Sequence, residues 1–453
     1  MSAMPSADAS RPGTTYLRIA NLEPRLRSGD PGILLPQDVL YDVVRVEVQR
    51  VNTGASQYSM TLNNWYLATA ADRAAVNGAS PGLAAGRERL SGSNPYWPRF
   101  KYNDFGLIKF GDRLRIDMRY WPDPVSGLDA AAKGWVPMIA GPITDMRFSF
   151  ATGGGAQITV SGQDDLSILQ DKNEGRFEMS RLAEVSIVRR VLGRAHYPLQ
   201  EIAHPLVAYP DFATDDNQGL QEALQDGTSY LGYIQKLADR LDFEVFLEFS
   251  DLTKPESALE FHFEPWRSRA PINSARRDLF TLDRERNLLE FNPTIRVVDQ
   301  YSMVRVRGRH RDPQIPQEVN GEATDEIIAD ELQDGRLASG PRVREHFFCG
   351  RPNKYSIPNQ SNLDDVRAKW LAQTVIRKKA RELFTIDGTT IGLPRLRPGN
   401  HVEIRGMRPP FDGFYYVLKT THTFGSDGFR TKFSAARPGM ELPAGSGCVE
   451  AGA

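Results

Sequence analysis

Two stretches nearly 290 residues apart carry the same pattern of strands and turns. Gly399 to Arg437, GNHVEIRGMRPPFDGFYYVLKTTHTFGSDGFRTKFSAAR, reads as strand, loop, long strand, tight turn and strand. An earlier version opens at Gly111 with GDRLRI. In each, a glycine and then Asp112 or Asn400 start a strand. Apolar residues alternate behind them, Leu114 and Ile116 in one copy, Val402 and Ile404 in the other. Gly141 and Gly413 then precede a long strand, where GPITDMRFSF matches GFYYVLKTTHTF. A glycine turn follows, ATGGG against GSDG, and the last strands are AQITVSG and FRTKFSA. Spacings agree to within a residue or two after Gly141 and Gly413, while the loops before them differ. Turn chemistry recurs widely, so chance likeness of two meanders is the competing explanation. A period of about 290 residues is too long for a solenoid. The favoured reading is two equivalent β-domains held apart by a mixed α/β insert. Three such chains would present six similar domains, with true threefold symmetry and a sixfold face.

The rest of the chain divides around these meanders. Residues 1–38 form a Pro- and Gly-rich arm. A first β-domain is expected over 39–165. It starts with LYDVVRVEVQRV, where Val44, Val46 and Val48 alternate with Arg45, Glu47 and Gln49. SQYSMTLNNW supplies a partner strand with Tyr58, Met60 and Leu62 on one face. Residues 67–104 interrupt this domain as an inserted loop with the aromatic run NPYWPRFKY; loops of that length inside a compact domain usually have a function or are mobile. Residues 166–310 read as a central α/β domain. Its helices are SRLAEVSIVRRVLG, with Ser180 as N-cap and Gly193 as stop, and YLGYIQKLADRL, with Leu231, Ile234, Leu237 and Leu241 buried. Residues 311–362 read as an irregular insertion. Residues 363–437 then give a helix, with Val366, Trp370, Val375 and Leu383 on one side and a solvated basic face, followed by the second β-domain; 438–453 read as a flexible tail. The fold class is therefore α+β, mainly β.

Charge and cysteine content narrow the function. Lys plus Arg number 56 against 57 for Asp plus Glu. That balance provides no global pull toward nucleic acid or an anionic membrane, and little net charge to hold copies apart. Two cysteines, Cys349 and Cys448, cannot form a disulfide framework or a zinc site by themselves and read as free thiols. The polar start MSAMPSADASRPGTT lacks the apolar core of a secretion signal, and no run of about 18 apolar residues occurs. Synthesis in the cytoplasm, without membrane insertion, is the expectation.

Candidate chemistry is thin. The glycines 153–155 join two strands, whereas a phosphate cradle needs a helix after them. RHRD has the kinase-like His-Arg-Asp, but no Gly-rich loop, partner Lys or Asp-Phe-Gly accompanies it. His196 and His204 flank YPLQEIA with no metal-site logic, and His422 reads as a packed or rim residue. The adjacent pairs Asp164/Asp165 and Asp215/Asp216 point apart as sequence neighbours, whereas catalytic carboxylates must converge across a cleft. The expectation is a non-enzyme with no catalytic, metal or cofactor-binding residues and no cofactor. Partner-contacting residues are not assignable at this level.

Four stretches carry a resemblance: PITDMRFSF…AQITVSGQDDLSIL, LQDGTSYLGYIQKLADRLDFEVFLEF, FNPTIRVVDQYSMVRVRGR and GLPRLRPGNHVEIRGMRPPFDGFYYVLKTTHTFGSDGFRTKF. In that order, from Val43 to Arg437, the chain resembles the late control protein D family of baseplate hubs of contractile phage tails. It also resembles the hub portion of VgrG proteins and of contractile injection systems. The resemblance implies two similar tube-like β-barrel domains and a homotrimer. Its pseudo-sixfold ring would continue the inner tube or tube-initiator protein on one side and seat a trimeric spike protein on the other. Other baseplate components are further implied partners, and the implied setting is a phage tail or tail-like particle. The VgrG pattern continues into a neck and spike. This sequence ends in PGMELPAGSGCVEAGA, so its spike is expected to be a separate protein. The alternative reading is a carbohydrate-binding β module using NPYWPRFKY or FYYV as a stacking platform.

Overall fold

The computed structural model describes residues 14–22, 33–35, 37–64, 100–103, 105, 107–121, 135–151, 155–178, 184–197, 223–252, 257–266, 279–310, 318–332, 335–348, 350, 352–363 and 365–442. Cys349, Cys448, Ser180, His204, Asp215/Asp216, Gly153 and most of the 67–104 insertion lie outside them. Strand dominates, as the α+β, mainly β reading expects.

The first meander runs β1 Thr14–Leu22, β2 Ile33–Leu34, β3 Val43–Val51, β4 Gln57–Asn63, β5 Arg113–Trp121, β6 Val136–Phe150 and β7 Ala156–Gln163. Period-2 alternation places Val46 and Val48, Tyr58, Met60 and Leu62, and Leu114, Ile116 and Met118 in one core. Full burial of such side chains is worth about 1.5–3 kcal/mol each. The long strand β6 is shared between two partners: Val136–Pro142 pairs with β5, and Ile143–Phe150 pairs with β7.

The central stretch adds β8 Phe177–Glu178, helix Glu184–Arg194, β9 Ala223–Leu224, helix Tyr230–Leu241, and the hairpin β10 Phe243–Phe249 with β11 Leu259–Pro265. Below, the helix Glu184–Arg194 is α1 and Tyr230–Leu241 is α2. Ser229 Oγ caps α2 by accepting from the Gly232 N–H at 3.1 Å, and α2 ends at Asp242 in left-handed geometry, φ 59. Leu231, Ile234, Leu237 and Leu241 are buried, as their spacing predicts.

Leu279–Ile295 falls in the same sequence stretch but pairs elsewhere. β12 Leu279–Asp283 and β13 Leu288–Ile295 bond to strands of the second meander. Residues 311–362, expected to be irregular, carry regular elements instead. β14 Met303–His310 lies between β15 Glu318–Thr324 and β17 Lys354–Leu363 in a three-stranded sheet; β16 Ala338–Ser339 and helix α3 Gly340–Phe347 stand between them in sequence. The inward residues of β15 are Val319, Gly321 and Ala323, too small to register as a hydrophobic strand. Helix α4, Asp365–Arg381, covers this sheet. Its buried stripe is Ala368, Ala372, Ile376 and Ala380, not the expected Val366 side; Val366 is 54% exposed. Small residues win because the backbone comes close: a Cβ on Gly321 would lie 2.1 Å from the Ala368 carbonyl carbon.

The second meander follows as β18 Phe384–Ile391, β19 His401–Arg405, β20 Gly413–Gly425 and β21 Gly428–Arg437, with a short β22 at Gly439–Met440. Strand order is β13-β18-β21-β20-β19 here and β3-β4-β7-β6-β5 in the first meander, antiparallel throughout both. The irregularities also coincide. β3 and β13 shift register at their second residue, between Val43 and Arg45 and between Leu288 and Glu290. β6 and β20 shift between Ile143 and Asp145 and between Val417 and Lys419. Gly111 N–H donates to Ile143 O at 3.1 Å, and Gly399 N–H to Val417 O at 2.9 Å. Both glycines have positive φ, 81 and 93, which explains why each strand opens on one. Bulges aim strands and are set by local geometry, so shared bulges at matched positions argue for one architecture built twice.

Candidate assembly interface

The two meanders meet edge to edge. β20 pairs with β3 antiparallel, from Lys419↔Val51 to Phe424↔Val46, and fuses them into one 13-stranded sheet. Asn52 N–H donates to Leu418 O at 3.1 Å, so the even-numbered residues of β3 point their backbone groups toward β20. On the inner face, Val46, Val48, Arg50, Thr420 and His422 are buried. On the outer face lie Glu47, Gln49 and Val51 beside Lys419, Thr421 and Thr423, all half-buried.

Charged groups beneath the joint tie it to the β10–β11 hairpin. Arg50 donates to Met138 O at 2.6 Å, to Leu247 O at 3.0 Å and to Glu248 at 3.0 Å. Arg397 binds the other oxygen of Glu248 and the Pro137 carbonyl. Tyr416 Oη donates to Glu244 at 2.5 Å and Asn52 Nδ2 to the same oxygen at 3.2 Å. Gly54 N–H donates to Val245 O at 2.7 Å. His422 sits fully buried in this cluster; burial, with the Arg397 and Arg50 charges, pushes its imidazole down to about 3 and keeps it neutral. Arg397 itself is lowered by burial to about 10, against the pull of Glu248, and stays charged at neutral pH.

A second cluster joins α2 to α4. Side chains of α4 donate to the last carbonyls of α2: Lys378 to Asp239 O at 2.8 Å, Thr374 to Arg240 O at 3.1 Å and Trp370 to Leu241 O at 3.1 Å. Arg381 grips both oxygens of Asp242, at 2.5 and 2.8 Å, and both oxygens of Glu331, at 2.8 and 2.7 Å. Arg377 adds a bond to Glu331 at 3.0 Å. Burial raises the Glu331 carboxyl, but Arg381 and Arg377 outweigh it and hold the group down to about 2. The basic face of α4 is thus partly an internal clamp, where a solvated face was expected. A charge pattern alone does not reveal acids that arrive from Asp242 and Glu331.

The same joint has two unfilled counterparts. Matching the bulges places β13 on β3 and the outer half of β6 on β20. β3 and β20 are paired with each other; β13 ends the sheet, and no described strand pairs with the outer edge of Asp145–Phe150. The inner-face residues at these edges are Met146, Phe148 and Phe150, and Phe291, Pro293 and Ile295. Their counterparts in the formed joint are Thr420, His422 and Phe424, and Val46, Val48 and Arg50. Phe150 is 54% and Ile295 40% exposed, whereas their counterparts Phe424 and Arg50 are half-buried and buried. Phe105, Leu107 and Phe110 extend the exposed apolar surface beside Phe148.

The chemistry-bearing residues do not converge. Asp164 accepts from the Ser56 and Leu166 N–H groups and caps a 3-10 turn, while its neighbour Asp165 pairs with Arg113. Burial pushes the Asp164 carboxyl up to about 7. His196 follows α1 in left-handed geometry, φ 51. Among the described residues no group of His, Cys, Asp and Glu is placed to hold a metal. The FYYV run offers no stacking platform: Tyr415 and Tyr416 are 1% and 4% exposed. Among the described residues no helix is long and apolar enough to cross a membrane.

No protein-family model matches the chain, and no curated protein matches it. Among solved structures it is similar to the 43 kDa tail protein of prophage MuSo2 from Shewanella oneidensis, at 13% identity, with 94% of this chain and 99% of that chain covered and a TM-score of 0.55. It is similar in the same way to the tail protein from Neisseria meningitidis MC58, at 10% identity, 93% and 96% coverage and a TM-score of 0.54. At such identities the likeness is one of fold, and the fold is one this chain shares with phage tail proteins.

Proposed function

We infer that this chain is the structural hub of a phage-tail or injection-particle baseplate. Three copies form a ring of six β-barrel units that joins a sixfold inner tube to a threefold spike. One observation carries the reading: the chain holds the same bulged meander twice, joins the copies by a strand pair, and leaves the equivalent pair of edges open. Each barrel unit extends beyond its sequence meander, the second taking in Leu279–Ile295 through β12 and β13. Repeating the β20·β3 joint between copies, as β6·β13, is a heterologous contact. Such a contact closes into a ring if the rotation allows. Two units per chain make three copies match six tube subunits. Nothing in this arrangement calls for catalysis.

The fold shared with phage tail proteins supports the setting, and synthesis in the cytoplasm fits particles assembled there. Light scattering on purified protein tests the ring: a trimer, or a monomer–trimer mixture that shifts with concentration, is expected. A monomer at all concentrations, or failure to bind a cognate spike and tube protein, would remove the proposal.

A further inference from the structure

The formed joint and the open edges differ in side chains in a way that bears on partner choice. Transferring the register of β20·β3 by the matched bulges sets Met146 opposite Ile295, Phe148 opposite Pro293 and Phe150 opposite Phe291 on the inner face. On the outer face it sets Asp145 opposite Arg296, Arg147 opposite Thr294 and Ser149 opposite Asn292. The inner row is then entirely apolar, where the formed joint has Thr420, His422 and Arg50. The outer row gains one pair of opposite charges. Asp145 and Arg296 are both exposed, and neither makes an ion pair with a described residue. In the formed joint the same two positions hold Lys419 and Val51.

We propose that Asp145 and Arg296 select the pairing between copies, so that β6 of one chain accepts only β13 of a second copy. The inference rests on the ring reading above. Its content is a charge rule. Asp145 against Arg296 is attractive, whereas a swapped pairing of β20 with another chain's β13 would bring Lys419 against Arg296. Like charges directly opposite on a sheet destabilise a pair, whereas opposite charges stabilise it. Specificity of this kind needs the repulsive element as well as the attractive one. The pair also sits at a site where backbone bonding is weaker. Arg296 N–H donates inward to Leu383 O at 2.7 Å, so the odd-numbered residues of β13 face the open edge. Pro293 is among them and has no N–H to give. The ladder between copies therefore lacks one hydrogen bond that Val48 makes available in the joint within the chain. Side chains must contribute more of the selectivity there. Proline on the open edge also discourages indiscriminate strand addition.

The test is a charge swap read by light scattering and sedimentation at 50 mM and 500 mM salt. Asp145→Arg and Arg296→Asp, each at an exposed position, are expected to raise the concentration for half-assembly by roughly fivefold or more at low salt. The shift should shrink at high salt, where about 3–5 Å of screening length replaces more than 10 Å. The double variant Asp145→Arg/Arg296→Asp should return to within about twofold of the parent, since it restores opposite charges. A second variant reads the register directly. Asp145→Cys/Arg296→Cys places thiols at a non-hydrogen-bonded pair, where Cα atoms approach about 4.5 Å. With Cys349 and Cys448 replaced by Ser, oxidation should give covalent dimers and trimers that neither single-cysteine control gives. A trimer indifferent to both single charge variants overturns the inference and leaves the ring reading standing; a trimer that does not crosslink shows that β6·β13 is not the joint between copies, and the inference falls together with that form of the ring. If the parent protein never trimerises, the ring reading itself has failed.

Discussion

Replacing Arg381 by Ala tests whether the buried clamp between α2 and α4 holds the molecule together. Arg381 makes four bonds of 2.5–2.8 Å to Asp242 and Glu331 and stacks 4.0 Å over Trp266. Side-chain exposure is 7% for Arg381, 2% for Asp242 and 1% for Glu331. Truncation removes the guanidinium from two buried carboxylates, while Arg377 still bonds Glu331. Breaking such a pair by removing one partner costs about 3–5 kcal/mol, because the orphaned charge stays out of water. Loss of the ring contact adds ~0.5–1 kcal/mol, so a loss of about 4 kcal/mol at pH 7 is expected. Urea unfolding followed by tryptophan fluorescence measures it, with Trp266 as a nearby reporter. The pH dependence sharpens the test. In the parent, Glu331 is held near 2, below its unfolded value of 4.5, so its contribution is complete above 4.5 and lost as pH falls toward 2. Without Arg381 only Arg377 opposes the burial of Glu331, so its carboxyl takes up a proton at higher pH. The penalty should therefore shrink between pH 7 and pH 5. A loss under about 1 kcal/mol at pH 7 would refute the clamp as a stabilising element by the truncation rule. A loss that stays constant with acid would refute the electrostatic explanation for it.

Two further outcomes follow from the fold. His422 titrates near 3 when folded and near 6.5 when unfolded, so the unfolded chain binds the extra proton between these values and stability falls as pH drops through that window. The residue accounts for up to about 1.4 kcal/mol per pH unit. His422→Gln should remove that part of the slope in paired urea titrations at pH 7, 6 and 5; parallel slopes for both proteins would show that the imidazole is not held neutral. Gly321→Ala should cost about 2 kcal/mol or more by forcing β15 off α4, since the obstacle is the Ala368 backbone and cannot rotate away. A thermal melt within a degree of the parent would show that the helix shifts freely.

The meanders were legible because their strands alternate and their glycines punctuate. Gly111 and Gly399 were matched by letter, and the structure gives them the same hydrogen bond. β13 was not legible as part of the second unit. LLEFNPTI alternates from Glu290 to Ile295, but Asn292 and Pro293 are weak strand formers, and its pairing with β18 joins segments about 90 residues apart, which no local pattern shows. β14 alternates visibly in MVRVRGRH, but its partner β15 was hidden by small inward residues, and the stripe of α4 by alanines, which are weakly apolar yet pack closest. The interface was the least accessible feature. No residue type marks an unpaired edge; it emerges only when the paired edge of one copy is laid over the other. Buried Arg50 and Arg397 gave no signal either, because each depends on partners from separate parts of the chain; His422, read as packed or at a rim, is fully buried.

The insertions obey the same equivalence. β4 and β18 are matched strands, but the long connection in the first unit leaves the end of β4 at Asn63, beside the β6–β7 turn. In the second unit it enters the start of β18 at Phe384, which pairs with Arg437 at the far end of β21. A rotation about a ring axis preserves strand direction relative to that axis. In the proposed ring, then, the connection after Asn63 departs from one end face and the unit between β13 and β18 from the other. β7 ends at Gln163 opposite Gln57, so the central stretch also departs from that second face. A ring built from duplicated units in this way has two chemically different ends, as an adapter between unlike partners requires. A tag spliced between Ser426 and Asp427, in the β20–β21 turn, and one inserted after Leu442 are expected at opposite ends in labelled side views of the trimer. Both labels on one end would mean that the two meanders are not related by rotation about a common axis, and the sixfold argument would fall with them.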